Sequence, residues 1–114
     1  MPYIESAVNE KLDAAKEKTI KEKLGKAINL ISGKTEDWLM INFKDEQRMY
    51  FHGDKDMPMC YSEVKIFGDA PAEELEALTA EICSIYKDEL GIEPENTYVK
   101  YELVHNWGWN NKNF

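Results

Sequence analysis

The feature that most constrains the fold is a pattern that occurs twice along the chain: a strand-like segment, a segment of helical period, and a second strand-like segment. The first copy spans approximately residues 2–44 and the second approximately residues 59–104. Because strand–helix–strand connections are right-handed, two such units side by side predict a four-stranded sheet with both helices on one face. The predicted class is α+β, with residues 1–114 as a single domain.

Apolar residues at helical spacing define the two predicted helices. The first runs from about residue 13 to residue 32, where Gly33 stands at a position that favours ending a helix. The second opens near Pro71 and ends at Gly91. We interpret Gly25, which weakens the first helix, as a position of close packing. The residues expected to face the core are Ile20, Leu24, Ala27, Ile28 and Ile31 in the first helix, and Leu75, Leu78, Ile82, Ile85 and Leu90 in the second.

Segments rich in β-forming residues predict the strands, at residues 3–8, 38–44, 60–67 and 97–104. In the third of these, alternation predicts one shared face for Cys60, Ser62, Val64 and Ile66. An aromatic residue, Trp38 or Tyr98, opens the strand that follows each helix. The polar stretch 45–58 predicts a turn around a short strand at residues 49–52. Because the helices cover only one face, we expect the other face of the sheet to hold apolar side chains and to form an interface.

The net charge and the cysteine content restrict the classes of molecule that the protein is expected to bind. A net charge of −8 repels phosphate backbones and anionic membranes, so neither nucleic acid nor a membrane is an expected partner. No secretory signal is visible. Cys60 and Cys83 form no metal-ligand pattern and fit a reduced, cytoplasmic chain. We expect no cofactor and no metal.

The first residues, Met1-Pro2-Tyr3-Ile4, carry the clearest chemistry. If Met1 is removed, which a small second residue permits, the chain starts with a prolyl secondary amine. A free α-amino group titrates near about 7.7–8.0, and burial lowers that pKa. An amine that is partly neutral at working pH is a good general base. The alternative is a proline that stands at this position by chance.

The last residues, 105–114, contain Trp107, Trp109 and Phe114 beyond the final strand. We call this segment the aromatic tail. Chain ends are normally polar and mobile, so aromatic residues here indicate docking, and a neighbouring subunit is the simplest partner.

With these features the chain resembles the tautomerase family of macrophage migration inhibitory factor. The likeness covers the whole chain, and its most specific part is the aromatic tail. The stretches that carry it are Met1-Pro2, Ser32-Gly33-Lys34, Gly91-Ile92-Glu93-Pro94, Thr97-Tyr98-Val99-Lys100-Tyr101 and Asn106-Trp107-Gly108-Trp109-Asn110-Asn111 through Phe114.

The resemblance implies a homotrimer with a site between subunits, and phenylpyruvate tautomerase activity: an isomerase that interconverts the keto and enol forms of phenylpyruvate-like α-keto acids. In the family, the N-terminal proline is the catalytic base, a lysine and a backbone amide hold the substrate oxygens, and aromatic residues line the slot. The matching positions here are Pro2, Lys34, Phe67 (through its backbone amide), Tyr98, Trp38 and Trp107. Lys100 stands where relatives commonly have asparagine, and Met57-Pro58-Met59-Cys60 replaces a CxxC of the best-known member, so thiol redox activity is not expected.

Alternative interpretations stay open for several of these residues. Lys34 is also favourable after a helix end because of the helix dipole alone. Trp38 and Tyr98 could be ordinary core aromatics. Lys100 is either a solvated strand lysine or a second cation near the substrate carboxylate. His52 and His105 have no partner that would indicate a catalytic triad.

At the level of function, the alternative to an enzyme is a cytokine-like trimer that binds a protein receptor and keeps only a vestigial pocket. Such a protein could be exported without a signal peptide, as has been assigned to family members. A ferredoxin-like binding domain unrelated to this family is a third, weaker alternative.

Overall fold

The computed structural model describes residues 1–114 and shows six main elements followed by a short hairpin. They are β1 (Pro2–Val8), α1 (Ala14–Ala27), β2 (Met40–Lys44), β3 (Cys60–Phe67), α2 (Ala72–Leu90) and β4 (Thr97–Val104), and the hairpin strands are β5 (Gly108–Trp109) and β6 (Lys112–Asn113). Single 3₁₀ turns lie at Ile28–Leu30, Glu36–Trp38 and Pro94–Asn96.

The sheet has the order β2-β1-β3-β4. β1 is parallel to β2, β3 is parallel to β4, and the two central strands β1 and β3 are antiparallel. Each parallel pair is connected through one helix, so the predicted α+β architecture of two strand–helix–strand units is confirmed. Neither helix offers a stretch long and apolar enough to cross a membrane.

One hydrophobic core lies between the sheet and the helices. The four alternating residues predicted to share a face of β3 are all buried, and so are all five core residues predicted for the first helix, of which Ile28 and Ile31 lie beyond α1. In α2 the burial is complete for Leu78, Ile82 and Ile85, and Tyr86 joins them. The core also holds a hydrogen bond between the hydroxyls of Ser6 and Ser62, at 2.8 Å, across the two central strands. Both helices are therefore held by apolar burial, at roughly 25 cal/mol per Å².

The first helix ends earlier than its apolar spacing predicts. α1 stops at Ala27, one 3₁₀ turn follows, and Ile31 is already extended, with φ −92° and ψ 120°. Gly33, at φ +79°, lies in the loop and does not terminate the helix. The burial of Ile31 was predicted correctly, but a tight turn and an extended residue achieve it, which apolar spacing alone cannot distinguish from a further helical turn.

Two further boundaries differ from the prediction. Trp38 does not open a strand, because it ends a 3₁₀ turn, and β2 begins at Met40. That turn packs on α1, where Glu36 occupies the space that a side chain at position 25 would need, which agrees with the close packing expected at Gly25. The predicted strand at residues 49–52 is reduced to one bridge between Phe51 and Asp54.

The sheet face that the helices leave uncovered, which we call the open face, is not apolar as expected. It carries alternating tyrosines, glutamates and lysines. The Tyr3 hydroxyl donates to Glu5 at 2.9 Å, the Tyr61 hydroxyl donates to Glu63 at 2.8 Å, and Lys100 pairs with Glu102 at 3.2 Å. The prediction was wrong because it assigned apolar side chains to the outer face, whereas the residues that alternate with the buried ones are mainly Tyr, Glu and Lys in the sequence itself.

Candidate functional site

The N-terminus lies at the end of β1, one of the two central strands of the sheet. Pro2 is the first residue of β1, is buried, and pairs with Ile66 of the antiparallel strand β3. Met1 precedes it, and the Met1 carbonyl accepts a hydrogen bond from the Phe67 backbone amide at 3.1 Å. Because β1 is paired on both sides, the strand holds the nitrogen of Pro2 in a defined position next to the Phe67 amide.

Lys34 reaches the same point from the loop after α1. The Lys34 backbone amide donates to the Ile31 carbonyl at 3.0 Å, which closes the loop. Its side-chain Nζ donates to the Phe67 carbonyl, also at 3.0 Å. Burial, and then the positive charge of Lys34, hold the pKa of the Met1 amine below its ordinary value of 8.0. Desolvation and a nearby cation therefore act together at this end of β1.

A cavity of about 680 Å³ opens beside these residues, and we call it the Pro2 cavity. Pro2, Trp38 and Trp107 line it, as do residues that the sequence analysis did not select. Those further lining residues include Tyr3, Lys65 and Trp109.

Three aromatic contacts connect the tail to the cavity wall. The Trp109 ring meets the Trp38 ring edge-to-face, with centroids 5.0 Å apart, and stacks nearly parallel to Phe114 at 6.2 Å. Phe114 in turn contacts Phe67 at 5.7 Å. The aromatic tail therefore packs on its own chain, whereas we expected it from the sequence to dock on a neighbouring subunit. The fold of the tail is set by the tight turn of the β5–β6 hairpin. Trp109 and Phe114 were missed as site residues, although the terminal motif that carries the family resemblance contains both.

Tyr98 and Lys100 are not brought to this site within one chain. Tyr98 of β4 pairs with Tyr61 of β3. Pro2 instead pairs with Ile66, further along β3, and Ile66 pairs with Leu103 of β4. Five strand residues separate Tyr98 from Leu103, or about 16 Å. Tyr98 instead lines a smaller apolar cavity of about 140 Å³ and meets the Phe51 ring at 5.0 Å.

Lys100 lies on the open face beside Glu102, whose carboxylate raises the pKa of the lysine. The single chain therefore assembles Pro2, Lys34, Phe67, Trp38 and Trp107, and it leaves Tyr98 and Lys100 exposed elsewhere.

Comparison with solved structures shows close similarity over the full length. The protein is similar to MIF2 of Leishmania major, with 30% identity over 100% of this chain and 97% of that chain and a TM-score of 0.92. It is also similar to the macrophage migration inhibitory factor homologue of Prochlorococcus marinus, with 27% identity, 98% of each chain covered and a TM-score of 0.87. The macrophage migration inhibitory factor-like protein of Entamoeba histolytica shares the fold, with 19% identity over 99% of this chain and 98% of that chain and a TM-score of 0.87.

No curated protein sequence matches the chain. The family model of macrophage migration inhibitory factor (MIF), by contrast, matches residues 1–113. This match covers nearly the whole chain, including Pro2 at the start of β1. The protein therefore belongs to the macrophage migration inhibitory factor family.

Proposed function

We propose that the protein is a keto–enol tautomerase of phenylpyruvate-like α-keto acids, with Pro2 as the general base after removal of Met1. The observation that carries this proposal is the position of Pro2. It starts a central strand at the wall of a large aromatic cavity, next to a lysine and a backbone amide.

The proposed reaction first requires that the Pro2 nitrogen be a free, neutral amine. While Met1 is attached, the Pro2 nitrogen is part of a tertiary amide and has no basic lone pair. Removal of Met1 converts it into a secondary amine at a point where burial and Lys34 already lower the pKa of the amine that is present. A lower pKa increases the neutral fraction of the amine near pH 7, and only the neutral amine can accept a proton.

Hydrogen-bond donors for the substrate oxygens lie next to the Pro2 nitrogen. The Phe67 amide points at the Met1 carbonyl, so removal of Met1 frees that donor for a carboxylate or enolate oxygen of the substrate. Lys34 provides positive charge beside it. Donors fixed in advance at the position where negative charge develops stabilise the transition state.

The reaction is then a proton transfer without a change in composition. Neutral Pro2 takes a proton from the carbon next to the ketone, the C–H electrons form the enolate, and the prolinium returns the proton to the enolate oxygen. In the reverse direction the amine takes the enol proton and delivers it to carbon. Trp38 and Trp109 accept the aryl ring of the substrate and exclude water, which keeps the amine neutral.

The proposal includes a homotrimer with the site between subunits. The family match supports it, and so does Tyr98, a large aromatic residue that is 60% exposed in the single chain. In a trimer, Tyr98 and Lys100 of one subunit would line the Pro2 cavity of the next, with Lys100 as a second cation near the substrate carboxylate.

The test compares two forms of the chain with phenylpyruvate. An intact-mass spectrum first establishes whether Met1 is absent, and enol-to-ketone conversion is then followed by ultraviolet absorbance. We expect the processed chain to be active, and a chain with one extra residue before Pro2 to be inactive with unchanged circular dichroism. Equal activity of the two forms would place the base elsewhere.

A further inference from the structure

One lysine, Lys65, lines the Pro2 cavity, whereas Lys34 lies outside its lining and donates to the Phe67 carbonyl. Lys65 belongs to β3 and is the register partner of Tyr3, one residue along from the Pro2–Ile66 pair. Its side chain extends from the open face of the sheet to the cavity wall. Lys65 has no role in the mechanism proposed above.

The contacts of Lys65 leave its charge available. Its Nζ lies 3.7 Å from a Glu63 oxygen, at the outer limit of an ion pair, and 5.9 Å from the centre of the Tyr3 ring. Glu63 is already bound by the Tyr61 hydroxyl at 2.8 Å. The Lys65 side chain is 37% exposed, and an ion pair of this kind contributes little. A lysine has a flexible four-carbon stem, so the ammonium group can turn to a ligand in the cavity.

We propose that Lys65 binds a second anionic group of the substrate and thereby selects 2-oxo acids that carry a second carboxylate. The inference rests on the proposed function, which places the α-carboxylate at Lys34 and the Phe67 amide. With Lys65 in the cavity wall and Lys34 beside the N-terminal end of β1, a diacid is held by charge-assisted contacts to both lysines and a monoacid by contacts to one of them.

Phe67 and Lys65 are two residues apart on β3, which is about 6.6 Å between their backbone positions. Because the lysine stem is flexible, the ammonium group reaches a range of positions beyond this spacing, and the fitting class is a 2-oxo acid with a second carboxylate at the far end of its carbon chain.

One group in the cavity opposes this binding. The Asp37 carboxylate also lines it, and its negative charge repels a second carboxylate. Asp37 is exposed, so solvent and salt screen its charge. Replacing Asp37 should therefore act in the direction opposite to replacing Lys65.

The experiment measures exchange of the C3 protons for deuterium by NMR, because this exchange reports proton abstraction for any 2-oxo acid. The two probes are 2-oxoadipate and 2-oxohexanoate, which have the same carbon chain and differ by one carboxylate. The readout is the ratio of kcat/KM for the diacid to kcat/KM for the monoacid. It is determined for the processed chain and for the Lys65→Met, Lys65→Arg, Asp37→Asn and Lys44→Met variants.

We expect the ratio to fall about tenfold to a hundredfold in Lys65→Met, to be largely restored in Lys65→Arg, and to rise in Asp37→Asn. Lys44 is the matched control, because it lies on the same open face, pairs with Glu5 at 3.5 Å and does not line the cavity. Its replacement should leave the ratio unchanged.

Each other outcome has a definite meaning. Exchange of 2-oxohexanoate with a ratio that Lys65→Met does not alter would overturn the assignment of Lys65 and leave the tautomerase proposal standing. An equal fall of the ratio in Lys44→Met would show a general charge effect and would also overturn the assignment. Absence of exchange with both acids, and of phenylpyruvate turnover, would overturn both proposals.

Discussion

The side chain of Lys34 donates a hydrogen bond to the carbonyl of Phe67 at 3.0 Å, and the two residues are 33 positions apart in the chain. The backbone amide of Phe67 donates to Met1. Phe67 thus connects the loop after α1 to the end of β1. This arrangement places a cation, and an N–H donor that now binds the Met1 carbonyl, beside the nitrogen of Pro2.

The pH dependence of the processed chain should report the Pro2 amine. Burial and Lys34 lower the pKa of the Met1 amine, and we expect the same surroundings to lower the pKa of the Pro2 amine after processing. Only the free base accepts a proton. We therefore expect kcat/KM to rise with pH and to level off above a midpoint that lies below 8.0, the ordinary value for this group. A midpoint at or above the ordinary value would contradict the role of burial.

Pro2→Gly keeps an N-terminal amine after Met1 removal but makes it primary and mobile. Since the ring that fixes the lone pair is lost, the variant should be slower than the parent chain. Circular dichroism serves as the control that β1 still forms. A variant as fast as the parent would show that the rigid secondary amine is not required.

Lys34→Ala should raise the KM for phenylpyruvate, because one charge-assisted contact worth about 1.5–3 kcal/mol is lost. It should also move the midpoint of the pH profile upward, since Lys34 is one of the two causes that lower the amine pKa. Lys26→Ala, at the end of α1 and outside the Pro2 cavity, is the control. If KM and the midpoint both stay unchanged, Lys34 does not belong to the site.

Trp109→Ala removes the ring that contacts both Trp38 and Phe114. Aromatic contacts contribute about 0.5–1.5 kcal/mol each beyond their buried area, so phenylpyruvate should bind several-fold more weakly. Pyruvate, which has no aryl ring, should be affected less. Equal losses with the two substrates would mean that Trp109 supports the structure and does not contact the aryl group.

The assembly should be a trimer that depends on the aromatic tail. Light scattering at micromolar concentration should give three times the chain mass of 13.3 kDa. Deletion of residues 105–114 should weaken assembly more than it reduces the helix signal in circular dichroism. A stable monomer of the full chain would contradict both the trimer and a site between subunits.

Ile82→Ala should destabilise the fold strongly, because Ile82 is 0% exposed in the core between helix and sheet. Large-to-small replacements of this kind cost about 2–5 kcal/mol. Leu30→Ala is the control, since Leu30 is 42% exposed. Urea unfolding at one fixed protein concentration compares the two, because assembly makes stability depend on concentration. Similar losses in both variants would contradict the core assignment.

Much of the fold follows from local patterns. Alternation identified the buried face of β3, and Gly91 adopts the left-handed conformation, at φ +67°, that ends α2. Helical spacing identified most of the buried residues of the helices, but it missed Tyr86, and Leu75 and Leu90 are only partly buried. Pro2 and the tail motif were also visible as candidates. These features depend on residues within one turn or one strand of each other, so the amino-acid order alone determines them.

Other features depend on contacts between distant segments. The early end of α1, the turn at Trp38 and the polar character of the open face all differ from the pattern-based prediction. The first two result from packing between α1, the following loop and the sheet, which local propensity does not encode. The polar open face, by contrast, follows from the alternating residues of the strands themselves.

The candidate site also combines features that the sequence shows with features that only the tertiary structure shows. The sequence by itself determined that Pro2 could be a base and that Lys34 and the aromatic residues belonged to a family motif. Only the tertiary structure decided that Lys34 reaches Phe67, that Trp109 contacts Trp38, and that Lys65 faces the same cavity. The physical reason is register: the pairing of β1 with β3 and the turn of the terminal hairpin bring these residues together, and a shift of one residue in either pairing would turn the side chains to the opposite face.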